Sequence, residues 1–176
     1  MAMHFEELDD RTRKLMLEEF EIEQRSSNPY FSPLLTKIGR REFVSLMRKA
    51  IRSGDEQQLV SSLARATYWD DTNRRGSVVN VRHAAEQLAV SEFNTWYVRG
   101  LAKRLLDEGV TECQVYRAED PRAERGECRQ YEGRILPVED VYGGHRARYW
   151  PEPGDPHALS VPFHPGCHHT IRRVAT

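Results

Sequence analysis

The sequence predicts an α+β protein: a helical N-terminal region, one long connecting helix, and a small β-containing, loop-rich lobe holding Cys and His. Three observations predict this class. Apolar residues recur at helical spacing through the first hundred residues. A short alternating stretch rich in Val, Thr and Tyr begins just after Gly109. All three cysteines and five of the seven histidines lie beyond residue 112. The corresponding segments are residues 1–79, 80–109 and 110–176.

In the first segment, Phe5, Leu8, Thr12, Leu15, Met16 and Phe20 form an apolar stripe at spacings of three and four, which predicts a helix. Ser26-Ser27-Asn28-Pro29 ends it, and Ser32-Pro33 is a second break. A second helix is expected over Arg41–Arg52, where Phe43, Leu46, Met47, Ala50 and Ile51 share a face and Ser53-Gly54 follows. Asp55 with Gln58 three residues later has capping-box form and starts a third helix carrying Leu59, Val60, Leu63 and Ala64 inward. The polar run Tyr68–Ser77 reads as a loop. Helices joined this closely suggest an antiparallel bundle.

Asn80 can cap a helix that runs to Glu108, with Gly109 in the C′ position. At roughly 28 residues it is more than twice the mean length of about 11–12, so it must span two parts of the structure. Beyond it, Val110–Arg117 and Arg134–Val138 read as strands. From Gly143 onward the chain is dense in Pro, Gly, His and aromatic residues and has no period. A segment of that kind carries little core of its own and is usually ordered by a metal or by covalent links.

Composition excludes several function classes. Of the residues 39% are hydrophobic and 30% charged, with a mean hydropathy of -0.71. That supports a modest core, with either an elongated helical part or a surface completed by partners. Lys and Arg total 26 against 27 Asp and Glu, so this is not a nucleic-acid binder of the bulk-basic kind. The charge is uneven: Phe5–Glu23 carries eight acids and three bases, while Arg40, Arg41, Arg48, Lys49 and Arg52 form a basic run. Such runs are either solvated helix faces or complementary surfaces between subunits. The acidic N-terminus lacks the apolar core of a signal peptide, and no stretch is apolar enough for a membrane span. The expectation is a cytoplasmic chain with reduced thiols, no membrane contact and no small-molecule substrate.

Cys113, Cys128 and Cys167, with His145, His157, His164, His168 and His169, are the residues that carry chemistry. Zinc takes about four thiolate or imidazole ligands in a tetrahedron, and this set contains enough of both. No Cys-x-x-Cys pair is present, so the alternative is that the cysteines are small buried hydrophobes. A Cys–His pair is also the nucleophile and base of thiol hydrolases, and a His doublet beside Cys suits a small metal-dependent nuclease. No carboxylate follows the doublet, and neither a phosphate-binding glycine loop nor a Gly-x-Ser-x-Gly elbow is present. Arg172, Arg173, Arg99, Lys103 and Arg104 are candidate weak contacts to DNA phosphates.

From the long helix to the C-terminus, the order of motifs resembles the Mu F-like phage minor head protein (head morphogenesis) family. Ser91-Glu92 stands in the helix, followed by Gly109-Val110, a strand from Cys113 to Arg117, and Glu119-Asp120. Cys128-Arg129-Gln130-Tyr131-Glu132-Gly133-Arg134-Ile135 corresponds to the family's Cys-x-x-Cys-x-x-Leu-Asp-Gly turn, and Pro162-Phe163-His164-Pro165-Gly166-Cys167-His168-His169 to its closing Pro-x-His-Pro-x-Cys-Arg-Cys. The likeness covers Val81–Arg173 and not the N-terminal helices. It departs in two places: the first Cys of the turn falls on Arg125, and the last Cys of the closing motif falls on His169. The resemblance implies a metal set of Cys128, Cys167 and His169, completed by Cys113 or His164, with structural zinc as cofactor. It implies Gly133 as a tight-turn residue and Glu92 as a helix-motif residue. The function it implies is a structural minor capsid protein that meets the portal or major capsid protein, found in the virion and, during assembly, in the host cytoplasm. The alternative is a cytoplasmic metal-dependent nuclease or hydrolase using the C-terminal His/Cys cluster.

Overall fold

A computed structural model describes residues 2–119, 126–152 and 154–174. Asp120, Arg125 and Pro153 lie outside the described residues. In chain order the elements are α1 (Asp10–Gln24), α2 (Lys37–Ser53), α3 (Glu56–Leu63), a single 3₁₀ turn (Ala66–Tyr68), α4 (Val81–Asp107), β1 (Glu112–Arg117), α5 (Gly126–Arg129), β2 (Ile135–Pro137), α6 (Val138–Gly143) and β3 (His169–Arg173). This is the expected α+β arrangement, with a long helix and a small antiparallel sheet.

Each long helix begins at a side chain that supplies an acceptor to its orphan N–H groups. Asp9 accepts from Thr12 N, Thr36 from Gly39 N, Asp55 from Gln58 N and Asn80 from His83 N. Capping by Asp9 starts α1 later than the stripe predicts, so Phe5 and Leu8 belong to an N-terminal arm. They still pack inward: the Phe5 ring lies 5.4 Å from Phe93 and 4.6 Å from Tyr97. Helix α2 begins at Lys37 instead of Arg41, because Thr36 provides the cap. At its other end the Arg13 guanidinium donates to the carbonyls of Ala50, Ile51 and Gly54 at 3.2, 2.8 and 2.9 Å.

Helix α4 is the axis of the fold. Every residue from Leu88 to Val98 is buried, including Ser91, Glu92, Asn94 and Thr95. A helix buried on all sides rather than along one stripe has neighbours on all sides. Here α1, α3, α6 and β3 all pack against it. The closest approach is at Gly100, where an added Cβ would stand 2.6 Å from Met16 N. Phe20 meets Trp96 edge-on at 5.2 Å, and burying rings of this size stabilises the fold by about 2–3 kcal/mol each. One continuous core runs from Met16 and Phe20 through α4 to Cys113, Phe163 and Ile171, so the three sequence segments share it.

The sheet order is β2-β1-β3, all antiparallel, with Cys113 opposite Leu136 and Arg173, and Arg117 opposite His169. Sequence patterning misses β3 and the short α6. Ion pairs then fasten the N-terminus to the rest: Glu6 to Arg172 (2.7 Å), Asp9 to Arg104 (2.6 Å), Glu19 to Arg99 (2.7 Å), Glu21 to Arg48 (2.6 Å) and Glu23 to Arg146 (3.1 Å). These five acids join the N-terminal run to the rest of the chain, while Glu6, Asp9, Asp10 and Glu18 remain exposed to solvent. No helix among the described residues is long and apolar enough to cross a membrane.

Candidate metal centre

The centre is built on the tetrapeptide His164-Pro165-Gly166-Cys167. Proline sets φ for the second turn position, and Gly166 has φ +78°, which a side-chain-bearing residue adopts only at a cost. Cys167 N donates to His164 O at 3.0 Å and closes the turn. A closed four-residue turn brings its first and last side chains together, here an imidazole and a thiol. Helix α4 holds the turn in place. The Ser91 hydroxyl accepts from Gly166 N at 2.5 Å, and the Asn94 amide donates to the carbonyls of Cys167 and His169 at 3.3 and 2.8 Å.

Cys128 arrives from the last turn of α5. Directly after it, Tyr131 N donates to Cys128 O at 3.1 Å, and the Tyr131 ring stacks on Phe163 with centroids 4.5 Å apart. That stack joins the α5 turn to the segment leading into His164. Gly133, at φ +79°, lets the chain reverse, and its N–H donates to Val115 O at 2.8 Å. The expected tight turn is present there.

Together these elements bring ligand atoms of Cys128, His164 and Cys167 within 4.8 Å of one another. The orientation of His164 carries chemical meaning. Its Nδ1 lies 3.0 Å from the Pro165 carbonyl, which can only accept, so Nδ1 carries the hydrogen. Its Nε2 is buried and meets no hydrogen-bond partner among the described residues. A buried imidazole lone pair beside two thiols is the donor set of a borderline metal ion, and the Nδ1–H to carbonyl bond is the usual orienting contact of a metal-bound histidine.

His169 stands at the edge of this group. Its Nδ1 is 3.6 Å from Cys167 Sγ, and its Nε2 is 3.4 Å from a Glu132 oxygen. The Cys167 spacing equals the S···N edge of about 3.6 Å in a zinc tetrahedron, but the expected ligand His169 is not among the residues whose ligand atoms all lie within 4.8 Å of one another. Burial lowers the His169 pKa, partly opposed by Glu132, and so favours the neutral ring that a ligand requires. Arg117 binds Glu132 at 2.7 Å and holds its carboxyl below the usual range. Burial, with a contribution from Cys128, pushes the Cys167 thiol up to about 12. No disulfide joins any two of the three cysteines.

Cys113 is not part of the group. It faces the core from β1, with Sγ 3.6 Å from Leu136 O, and burial raises its thiol to about 12. Strand alternation explains this, since Cys113 and Val115 point to the buried side of the sheet. Of the two residues offered to complete the set, the fold brings His164 to it. The remaining histidines lie elsewhere. His168 turns away toward Glu119 at 3.7 Å, His145 meets Glu23 at 3.0 Å, and His157 is exposed.

Glu92 also has a place, though not at the metal group. Its two oxygens receive Arg146 at 2.8 and 2.7 Å inside the protein. Sequence reading misses Arg146, which sits in an aperiodic stretch. The signal available was Glu92 itself, a carboxylate in the most apolar part of α4. Glu92 also lines a cavity of about 210 Å³, together with Tyr30, Trp69, Tyr149 and Pro165.

The chain matches no protein-family model, no curated protein and no solved structure.

Proposed function

We propose that this chain is a structural phage or prophage head protein of the Mu F-like kind, whose C-terminal lobe is held by one zinc ion. The observation that supports it best is the convergence of ligand atoms of Cys128, His164 and Cys167 within 4.8 Å, with Nε2 of His164 buried and without a hydrogen-bond partner among the described residues. His169 is the fourth ligand in this reading, with Glu132 orienting it from behind. Zinc in such a set supplies folding free energy, because it joins three segments that have little core between them. Those segments are the α5 turn, the His164–Cys167 turn and the start of β3.

The motif order from Glu92 to His169 supports the head-assembly role, as does a lobe fastened to its helices by the buried Arg146, which pairs with Glu92 and Glu23. In this role the chain meets the portal or the major capsid protein and remains with the virion. Two measurements test the reading. Protein purified without chelator should carry about one equivalent of zinc per chain, and Cys128→Ser or Cys167→Ser should lose it. Heads assembled with the chain should retain it at a fixed low copy number; full-sized infectious particles formed without it would overturn the assembly role. DNA cleavage by the zinc-loaded protein that disappears on His164→Ala would replace this reading with a metal-dependent nuclease.

A further inference from the structure

Helix α2 carries an imbalance of charge found in no other helix of the described residues. Lys37, Arg40, Arg41, Arg48, Lys49 and Arg52 stand against the single carboxylate of Glu42, in a chain with net charge -1. The inward face is Gly39, Phe43, Met47, Ala50 and Ile51, all buried. At 100° per residue, Lys37, Arg41, Ser45, Arg48, Lys49 and Arg52 fall within an arc of about 120° on the opposite side. The stripe they form is about 22 Å long at 1.5 Å rise per residue. Lys37, Arg40, Arg41, Lys49 and Arg52 are exposed.

Two carboxylates reach this face. Glu21 takes Arg48 at 2.6 Å, and Glu42 lies 3.3 Å from Arg41. Among the described residues, Lys37, Arg40, Lys49 and Arg52 have no carboxylate within ion-pair distance. The other bases weighed above as phosphate contacts are differently placed. Arg99 binds Glu19, Arg104 binds Asp9 and Glu108, Lys103 binds Asp107, Arg172 binds Glu6, and Arg173 binds Glu108.

We infer that the outer face of α2 docks the phosphate backbone of duplex DNA. A rigid row of five cations, of which only Arg41 and Arg48 meet a carboxylate among the described residues, calls for an anion that is itself rigid, straight and densely charged. Duplex DNA offers one negative charge per about 1.7 Å of axis, and its major groove, about 12 Å wide, accepts the flank of a helix. A second copy of this chain is poorly suited to the role, because Glu6, Asp9, Glu19, Glu21 and Glu23 are engaged within their own chain. Apart from Ser45 and the exposed Ile38, the arc offers only cations, which contact phosphates and carry little base readout, so binding is independent of sequence. The surface shares no residue with the metal centre and stands or falls separately from it.

The test is fluorescence anisotropy of the full chain with a 30-base-pair duplex of mixed sequence, titrated across salt. Four neutralised phosphates predict a log–log salt slope of about -3.6 and ~100-fold weaker binding at 200 mM than at 50 mM salt. Arg41→Glu/Lys49→Glu/Arg52→Glu should abolish binding, and the Gln versions of the same three should weaken it at least tenfold. Arg74→Glu/Arg75→Glu, in the exposed loop before α4, should leave it unchanged. Circular dichroism of each variant establishes that α2 remains folded. Any of three results overturns the proposal: no salt-dependent binding, Gln variants that bind like the wild type, or polyglutamate competing as well as duplex.

Discussion

Arg146 holds both carboxylate oxygens of Glu92, at 2.8 and 2.7 Å, from a backbone position with φ +55°. The guanidinium also reaches Glu23 at 3.1 Å and lies over the rings of Tyr30 and Trp96, 4.6 and 5.3 Å from their centroids. It thus joins α1, α4 and the segment after α6 at one point. Burial raises the Glu92 pKa, and Arg146 opposes the rise. Replacing Arg146 with Met leaves the Glu92 carboxyl buried without its cation, and the expected loss is about 3–5 kcal/mol in denaturant unfolding. Adding Glu92→Gln should recover part of that loss. A double variant as unstable as the sum of the singles would show that the two residues act independently.

A neighbouring group sets a pH dependence. Burial lowers the His145 pKa from 6.5 to about 4, with its Glu23 hydrogen bond opposing. Between these values the unfolded chain takes up a proton that the folded chain refuses, so stability falls as pH falls. The contribution is fully present above about pH 6.5 and, by linkage, amounts to about 3 kcal/mol across the window. The raised pKa of Glu92 acts in the opposite direction, so the effect is isolated by comparing wild type with His145→Gln from pH 7 to 4. Parallel stability curves for the two proteins would rule it out.

At the metal centre, the positions separate by role. Cys113→Ser should leave zinc stoichiometry unchanged, because its thiol lies against Leu136 O in the core. Glu132→Gln should bind zinc about 10–100-fold more weakly, the usual effect of losing the partner that orients a ligating histidine. Chelator competition with a zinc-sensitive dye measures both. Equal losses in the two variants would mean that the ligand assignment is wrong.

Gly166→Ala tests the turn itself. At φ +78° a Cβ is disfavoured by about 1–2 kcal/mol, while the nearest atoms, on Gln87, are 3.7 Å away and permit it sterically. The strain falls on the spacing of His164 and Cys167. Thermal unfolding should show the small loss without zinc and a larger loss with it; an equal loss in both states would mean that the turn does not shape the site.

Much of the helical half was legible because α1, α2 and α3 each present a stripe of apolar residues and a capping side chain at the right offset. The start of α2 was not, since Gly39 in its first turn suggests a break. In the fold that glycine is required by the Tyr68 carbonyl, which a Cβ would approach to 2.1 Å. Strand β3 was invisible for a different reason. Of His169-Thr170-Ile171-Arg172-Arg173 only Ile171 is apolar, and the strand exists because β1, more than fifty residues earlier, presents a matching edge. At the candidate site, the sequence showed the donors Cys128, His164 and Cys167, but the turn that joins the last two emerged only in the fold. Which donors came together was a question of facing, and periodicity over six residues did not reveal that Cys113 turns inward.

The amino-acid order alone determined the class, the long axis helix, the caps at Asp55 and Asn80, and the pool of Cys and His donors. These follow from local physics: periodicity, capping and side-chain chemistry. Tertiary structure decided where each charge and each lone pair ended up. The acids of the N-terminal run read alike in sequence, yet the fold matches them to Arg172, Arg104, Arg99, Arg48 and Arg146, leaving the cations of α2 facing outward. It likewise brought His164 within 4.8 Å of the Cys128 and Cys167 thiols and turned Cys113 into the core. Charge pairing and ligation act between residues distant in sequence, so they are settled only when packing around α4 fixes which side chains meet.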